Sequence, residues 1–214
     1  MPDKKTIVFD LDGVLFNSVG LMSEITREEF PGITDEQILD LHRGNIHEEK
    51  RTTSLKRREA TEEWWKERWQ RYAREKALLP MYPGMRDLVI KLAKGFNLAI
   101  NTSALDANTL PLLEQAGIKE CFAIVGTKQL HQSKVEKFKI IADKFGQKPK
   151  ELLFITDTIG DLREADLAGV PTILVTWGLH SRSYLESEPH PNVVATVDNV
   201  RELKDCINKI KKSN

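Results

Sequence analysis

Asp10-Leu11-Asp12-Gly13 places two carboxylates two residues apart at the end of an apolar run, Thr6-Ile7-Val8-Phe9. A second acidic pair, Asp157 and Asp161, follows another apolar run, Leu152 to Ile155. Either pair alone has an ordinary structural explanation, because Asp and Gly favour turns and Asp is favourable near a helix start. Two such pairs in one chain, each directly after a strand-like run, point instead to chemistry. Four carboxylates gathered at one spot repel one another, and some would have to take up protons. A hard divalent cation removes that conflict. Oxygen ligands, partly carboxylate, suit Mg²⁺, which keeps several waters and binds substrate phosphate as well.

For the two pairs to meet, the runs before them must be neighbouring strands. Five short apolar runs read as strands: Thr6 to Phe9, Phe96 to Ile100, Phe122 to Val125, Leu152 to Ile155 and Thr172 to Thr176. Val193 to Val197 is a weaker sixth. Most are continuously apolar, as expected for strands covered on both faces. Helical stretches separate them from residue 84 onward: Met85 to Lys94, Leu105 to Ala116, Ser133 to Phe145 and Asp161 to Ala168, each followed by a glycine. This alternation predicts an α/β chain with a Rossmann-like three-layer core around a central parallel sheet. In such sheets ligands bind beyond the carboxyl ends of the strands, where both acidic pairs lie.

Residues 16–80 break the alternation. They contain almost no strand-like run, and TEEWWKERWQRYAREKALL is strongly helical in composition. Trp65, Trp69, Tyr72 and Ala73 fall on one helical face, which reads as packing between helices. The expected organisation is therefore a core of residues 1–15 and 81–214 with an inserted α-helical cap, 16–80. Pro80 and Pro83-Gly84 mark its exit.

Composition excludes several functions. Lys plus Arg equals Asp plus Glu at 32 each in 214 residues, so nothing favours nucleic acid or an anionic membrane as a partner. The two cysteines, Cys121 and Cys206, form no metal-binding or disulfide pattern and suit a reducing cytoplasm. No run approaches transmembrane length. The expected location is cytoplasmic, and the expected assembly a monomer or homodimer.

The order of these features resembles the haloacid dehalogenase superfamily, in its phosphoglycolate-phosphatase-like and β-phosphoglucomutase-like branch with a helical cap. The first motif of that family is matched by Asp10-Leu11-Asp12-Gly13-Val14-Leu15. The second is matched by Thr102 in NLAINTS, the third by Lys134 in HQSKVEKFK, and the fourth by Asp157 and Asp161. The resemblance implies that Asp10 attacks phosphorus to give an aspartyl-phosphate. Asp12 then exchanges a proton with the leaving oxygen and with water. Thr102, Ser103 and Lys134 hold the phosphoryl oxygens, since phosphoryl transfer relies on positioning and electrostatics. The implied metal site for Mg²⁺ comprises Asp10, Asp12 (through its backbone carbonyl), Asp157 and Asp161.

The sequence departs from the family pattern in three places. Thr156 stands where most relatives with this cap have Gly, and the usual Lys-Pro of the third motif is absent, leaving Lys128 and Lys137 as rivals of Lys134. Ser103 stands where many relatives have Asn. In the cap, LDLHRGNIHEEK is the expected specificity segment, with Arg43, Asn45 and His47 as candidates to meet an anionic substrate. Trp177 and His180, after the last core strand, are placed on the same edge.

The expected function is a Mg²⁺-dependent phosphatase, a phosphoric monoester hydrolase acting on a small phosphorylated metabolite. The alternatives are a sugar-phosphate mutase on the same core and, less favoured, a catalytically idle metal-binding regulatory protein.

Overall fold

The computed structural model describes residues 4–44 and 55–212. Its elements run β1 (Thr6–Phe9), α1 (Val19–Glu29), α2 (Asp35–Leu41), α3 (Glu62–Ala77), α4 (Met85–Ala93), β2 (Asn97–Asn101), α5 (Asp106–Gln115) and β3 (Ile124–Gly126). They continue with α6 (Lys134–Lys144), β4 (Leu152–Thr156), α7 (Ile159–Ala168), β5 (Thr172–Val175), α8 (Arg182–Leu185), β6 (Val193–Val197) and α9 (Val200–Lys212). The six strands form one sheet of order β3-β2-β1-β4-β5-β6. Every pairing in it is parallel. β1 and β4 lie side by side, with Phe9 opposite Ile155, so Asp10 and Asp157 leave adjacent strand ends.

Burial explains the continuous apolar runs. Ile7 and Phe9 face a cluster with Met85, Leu88 and Leu92 of α4 and Leu203 and Ile207 of α9. Val8 faces the opposite cluster with Phe138 and Ile141 of α6 and Ala165 of α7. A strand buried on both faces has no solvent side to make polar, and the three layers follow.

Two strand starts shift from the sequence reading, and the ends of β2 to β5 move by one residue. Phe96 lies in the turn that closes α4, its amide donating to the Leu92 carbonyl at 2.9 Å. β3 starts at Ile124, since residues 119–121 form a 3₁₀ turn and the Phe122 amide closes it on the Lys119 carbonyl. The Phe122 ring packs edge-on against Phe9 at 6.3 Å.

The chain leaves the core through Phe16 and Asn17 and returns through Pro80 to Tyr82. The two passes lie together: Asn17 N donates to Pro80 O at 3.0 Å and Tyr82 N to Leu15 O at 3.1 Å. Between them, α1 and α3 join through buried polar groups. Arg68 of α3 is 3% exposed, and it donates to Ile25 O at 2.6 Å and to Glu29 Oε2 at 3.1 Å. A buried guanidinium without a carboxylate would cost several kcal/mol, so the Glu28-Glu29 pair is what permits this interface. Trp65 and Trp69 cover the same guanidinium.

Candidate active site

A cavity of about 300 Å³ lies between the carboxyl edge of the sheet and the helical insert. Asp10, Asp12, Thr102, Ser103, Lys134, Asp157 and Asp161 all line it. It sits where the strand order reverses direction around β1 and β4, the expected place for a ligand in an open parallel sheet.

Asp10 emerges from β1 with its amide bonded to Ile155 O at 2.9 Å. The residue is 6% exposed, and its carboxylate accepts from Lys134 Nζ at 2.8 Å. Burial, reinforced by Asp161 and Asp12 and opposed by Lys134, raises the Asp10 pKa to about 7. The turn that follows needs Gly13 twice over. Its φ is 75°, and a Cβ there would overlap the Asp157 carboxylate. A Cβ at Gly178 would overlap the Asp157 side chain as well. Asp157 is thus clamped at the end of β4, where its Oδ2 accepts from the Leu179 amide at 2.6 Å. Burial raises its pKa well above the usual carboxylate value, and Asp10 reinforces this. Its Oδ1 is buried and has no hydrogen-bond partner.

Lys134 begins α6, and the preceding Ser133 caps that helix on the Val135 amide. Its ammonium bridges Asp10 and Asp161. Burial opposes its charge, but the two carboxylates outweigh burial and hold the lysine protonated. The rival lysines are placed differently. Lys137 is buried and donates to the Thr102 carbonyl at 2.5 Å, with burial and then Lys134 lowering its pKa to about 8. Lys128 lines the cavity wall.

Thr156, the departure from Gly, uses its hydroxyl to donate to Asp161 Oδ2 at 2.9 Å. A residue that could be read only as lost backbone freedom thus holds the second acidic side chain toward Lys134. Thr156→Val keeps the shape and removes the donor. We expect a stability loss of about 1 kcal/mol in denaturant unfolding and a several-fold lower kcat, with Asp161 still held by Lys134.

Five residues that line the cavity and carry its contacts were not marked as site residues by the sequence. Lys76, at the end of α3, is 1% exposed and donates to Asp12 Oδ2 at 2.6 Å. Burial opposes its charge, yet Asp12 and Tyr72 raise its pKa overall. Glu164 accepts the Lys134 amide at 2.8 Å and so seats the start of α6 on α7. His42, from the turn after α2, lines the cavity, and burial followed by repulsion from His180 lowers its pKa to about 4. Trp69 and Tyr72 also line the cavity. Their aromatic stripe, read as packing between helices, therefore serves the pocket as well, while Trp65 stacks on Arg57 and Arg68. Spacing gave one usable signal: Glu164 lies three residues after Asp161, on the same side of a helix.

Other candidates sit elsewhere. Arg43 points to Glu188 and lies over the Tyr184 ring, while its neighbours His42 and Gly44 line the cavity. Asn45 and His47 fall outside the described residues. Trp177 packs beside Tyr82 and donates to Val14 O at 3.3 Å. His180 is fully buried between Ile159 N and Leu39 O.

The acidic cluster fits a divalent cation. Asp157 Oδ1 and Asp12 Oδ1 are buried without partners, and burial resists full ionisation of Asp10 and Asp157. Among the described residues, no three acidic, imidazole or thiol side chains form a ready-made cage. Mg²⁺ does not require one, because it takes one or two carboxylates and completes its shell with water and phosphate.

A strand-end carboxylate, a bridging lysine and an acidic pair on a parallel sheet with helices following its first strand are the arrangement expected of the haloacid dehalogenase-like hydrolase family. The chain belongs to that family: its model, described as haloacid dehalogenase-like hydrolase, matches residues 7–175. The chain is similar to a phosphoglycolate phosphatase of Synechococcus elongatus, 25% identical over 187 residues that cover 85% of this chain and 88% of that protein. It is also 30% identical over 140 residues to phosphoglycolate phosphatase 1 of Pseudomonas aeruginosa. That match covers 63% of this chain but only half the length of the relative. Among solved structures, a predicted phosphoglycolate phosphatase from Haemophilus somnus superposes with TM-score 0.71 and 24% identity, covering 99% of each chain. CbbY from Rhodobacter sphaeroides, in complex with xylulose-(1,5)bisphosphate, gives TM-score 0.72 at 19% identity, covering 94% of this chain and 96% of the other. These likenesses show the shared fold. No described helix is long and apolar enough to cross a membrane.

Proposed function

We propose that the protein is a Mg²⁺-dependent phosphatase that hydrolyses a small phosphorylated metabolite through an aspartyl-phosphate on Asp10. One observation carries this reading: Lys134 joins Asp10, from the end of β1, to Asp161, from the segment after β4, inside one cavity. The names of the phosphatase relatives support the same class.

In this mechanism an Asp10 carboxylate oxygen bonds phosphorus as the ester oxygen leaves. Asp12 gives that oxygen a proton, then takes one from the water that cleaves the aspartyl-phosphate. Thr102, Ser103 and Lys134 hold the phosphoryl oxygens, with Lys134 supplying a fixed positive charge. Lys76 ties Asp12 to the helical insert, so the acid–base group and the cap are set together. Residues 16–80 act as the cap that excludes water, over a core of 1–15 and 81–214. Asp10, Asp157 and Asp161, with the Asp12 backbone carbonyl, would hold Mg²⁺, which when bound offsets charge on the carboxylates and the phosphoryl group.

Chelation tests the reading. With p-nitrophenyl phosphate, EDTA should lower turnover at least about 100-fold and added Mg²⁺ should restore it. Full turnover in chelator would reject it. Stability gives an independent check. Without a cation, the folded Asp10 keeps its proton up to about pH 7, against an ordinary value of 3.8. The folded chain therefore binds more protons between those values, and stability present at pH 4 is lost as pH rises through 7. Mg²⁺ binds the ionised form, so it should raise Tm more at pH 8 than at pH 5. A screen of phosphorylated metabolites, scored for both released phosphate and isomerised product, separates the phosphatase from a mutase.

A further inference from the structure

The turn after α2 that supplies His42 and Gly44 to the cavity is fastened to α7 from several directions. The Gly160 amide donates to His42 O at 2.9 Å. Arg163 Nη1 donates to Arg43 O at 2.8 Å. His180 Nε2 meets Leu39 O at 3.1 Å, while its Nδ1 accepts from the Ile159 amide at 3.0 Å. Carbonyls at the end of α2 are thus met by the Gly160 amide, the Arg163 side chain and the His180 ring, and two helix ends with opposite partial charge face each other. Glu188 completes the arrangement. Both its oxygens accept from Arg163 at 2.8 Å, and Oε2 also receives Arg43 Nη2 at 3.4 Å. Position 160 admits no side chain: a Cβ there would lie 2.7 Å from His42 O and 2.6 Å from Gly44 O.

We propose that Gly160, Arg163 and Glu188 form a latch that holds the His42–Gly44 turn over the catalytic carboxylates, with Arg43 as its cap-side partner. These are positioning residues, which reach the substrate only through the wall they hold in place. The same turns of α7 carry Asp161 toward Lys134, so one helix places a metal-side carboxylate and the cap wall in fixed relation. Arg43 then serves the latch, and its guanidinium is committed to Glu188 and the Tyr184 ring, away from the cavity. The role in substrate binding rests on the phosphatase reading; the latch itself does not.

Backbone hydrogen exchange on the full chain tests the latch without any activity. In Glu188→Ala, exchange over residues 39–44 should rise about three- to tenfold, the effect expected when one or two partly exposed ion pairs are lost; in Gly160→Ala, whose Cβ would meet the His42 and Gly44 carbonyl oxygens, it should rise at least as much. Exchange in β1 and β4 should stay unchanged. Glu186→Ala, which breaks only the surface pair with Arg182, should change nothing in residues 39–44. With p-nitrophenyl phosphate, KM of Glu188→Ala should rise about three- to tenfold while kcat stays within about twofold. Unchanged exchange at 39–44 in Glu188→Ala overturns the latch, even if Gly160→Ala fails to fold. Raised exchange with unchanged KM overturns the positioning role. Absence of turnover in the unsubstituted chain would reject the phosphatase reading instead, and the exchange result would still decide the latch.

Discussion

Asp10→Asn should abolish turnover of p-nitrophenyl phosphate, by about 10⁴-fold or more, and leave the fold intact. The reason is chemical: an amide oxygen cannot form the phosphoryl bond that the mechanism requires, and losing a covalent nucleophile removes the step rather than weakening it. The fold should tolerate the change because Asn keeps the volume and can still accept from Lys134, which also retains Asp161. Burial already makes the Asp10 charge unfavourable, so Tm without a cation should fall little, or rise at high pH where that charge is fully developed. Steady-state kinetics and thermal unfolding at pH 6 and pH 8 check both halves. Turnover within about tenfold of the unsubstituted chain would remove Asp10 from the nucleophile's role.

Lys134→Met should have the second largest effect, on both stability and rate. Lys134 is 1% exposed and pairs with two carboxylates whose side chains are themselves mostly buried. Removing one member of such a cluster typically costs about 3–5 kcal/mol, because the remaining charges are left unpaired in a poorly solvated place. The sign with pH is fixed. Without the lysine the folded carboxylates hold protons to a higher pH, so the loss is smallest in acid and grows as pH rises. Turnover should fall about 10³-fold through loss of a fixed positive charge at the transferring group. Denaturant unfolding at pH 5 and pH 8, with single-substrate kinetics, measures both. Equal destabilisation at the two pH values would mean that Lys134 contributes packing rather than charge.

The parts of the site that the sequence made legible share a property. Asp10, Asp12, Asp157 and Asp161 are acidic residues at the ends of apolar runs, where burial makes a carboxylate costly and therefore informative. The order of strands and helices was readable for the same reason, since runs such as LLFIT are apolar on both faces. Lys76 and His42 were not legible, because their meaning lies in contacts that sequence position does not encode. Lys76 sits in AREKALL, a stretch with the composition of a solvated helix, and its partner Asp12 is 64 residues away. His42 acquires its role from a turn held by Gly160 and Arg163, more than 100 residues downstream. Trp69 and Tyr72 were correctly placed on one helical face, but periodicity does not say whether a face meets another helix or a cavity. Thr156 is the reverse case. Its position drew attention as a departure, and only the distance from its hydroxyl to Asp161 reveals what it does.

Trapping the covalent intermediate tests the central claim most directly. The enzyme would be mixed with p-nitrophenyl phosphate and Mg²⁺, quenched in acid within its first turnovers, digested and mapped by mass spectrometry. Added phosphate on the peptide that carries Asp10, lost in Asp10→Asn, is the predicted result. Turnover with no phosphate on that peptide, or with phosphate on a different residue that survives Asp10→Asn, would contradict the account.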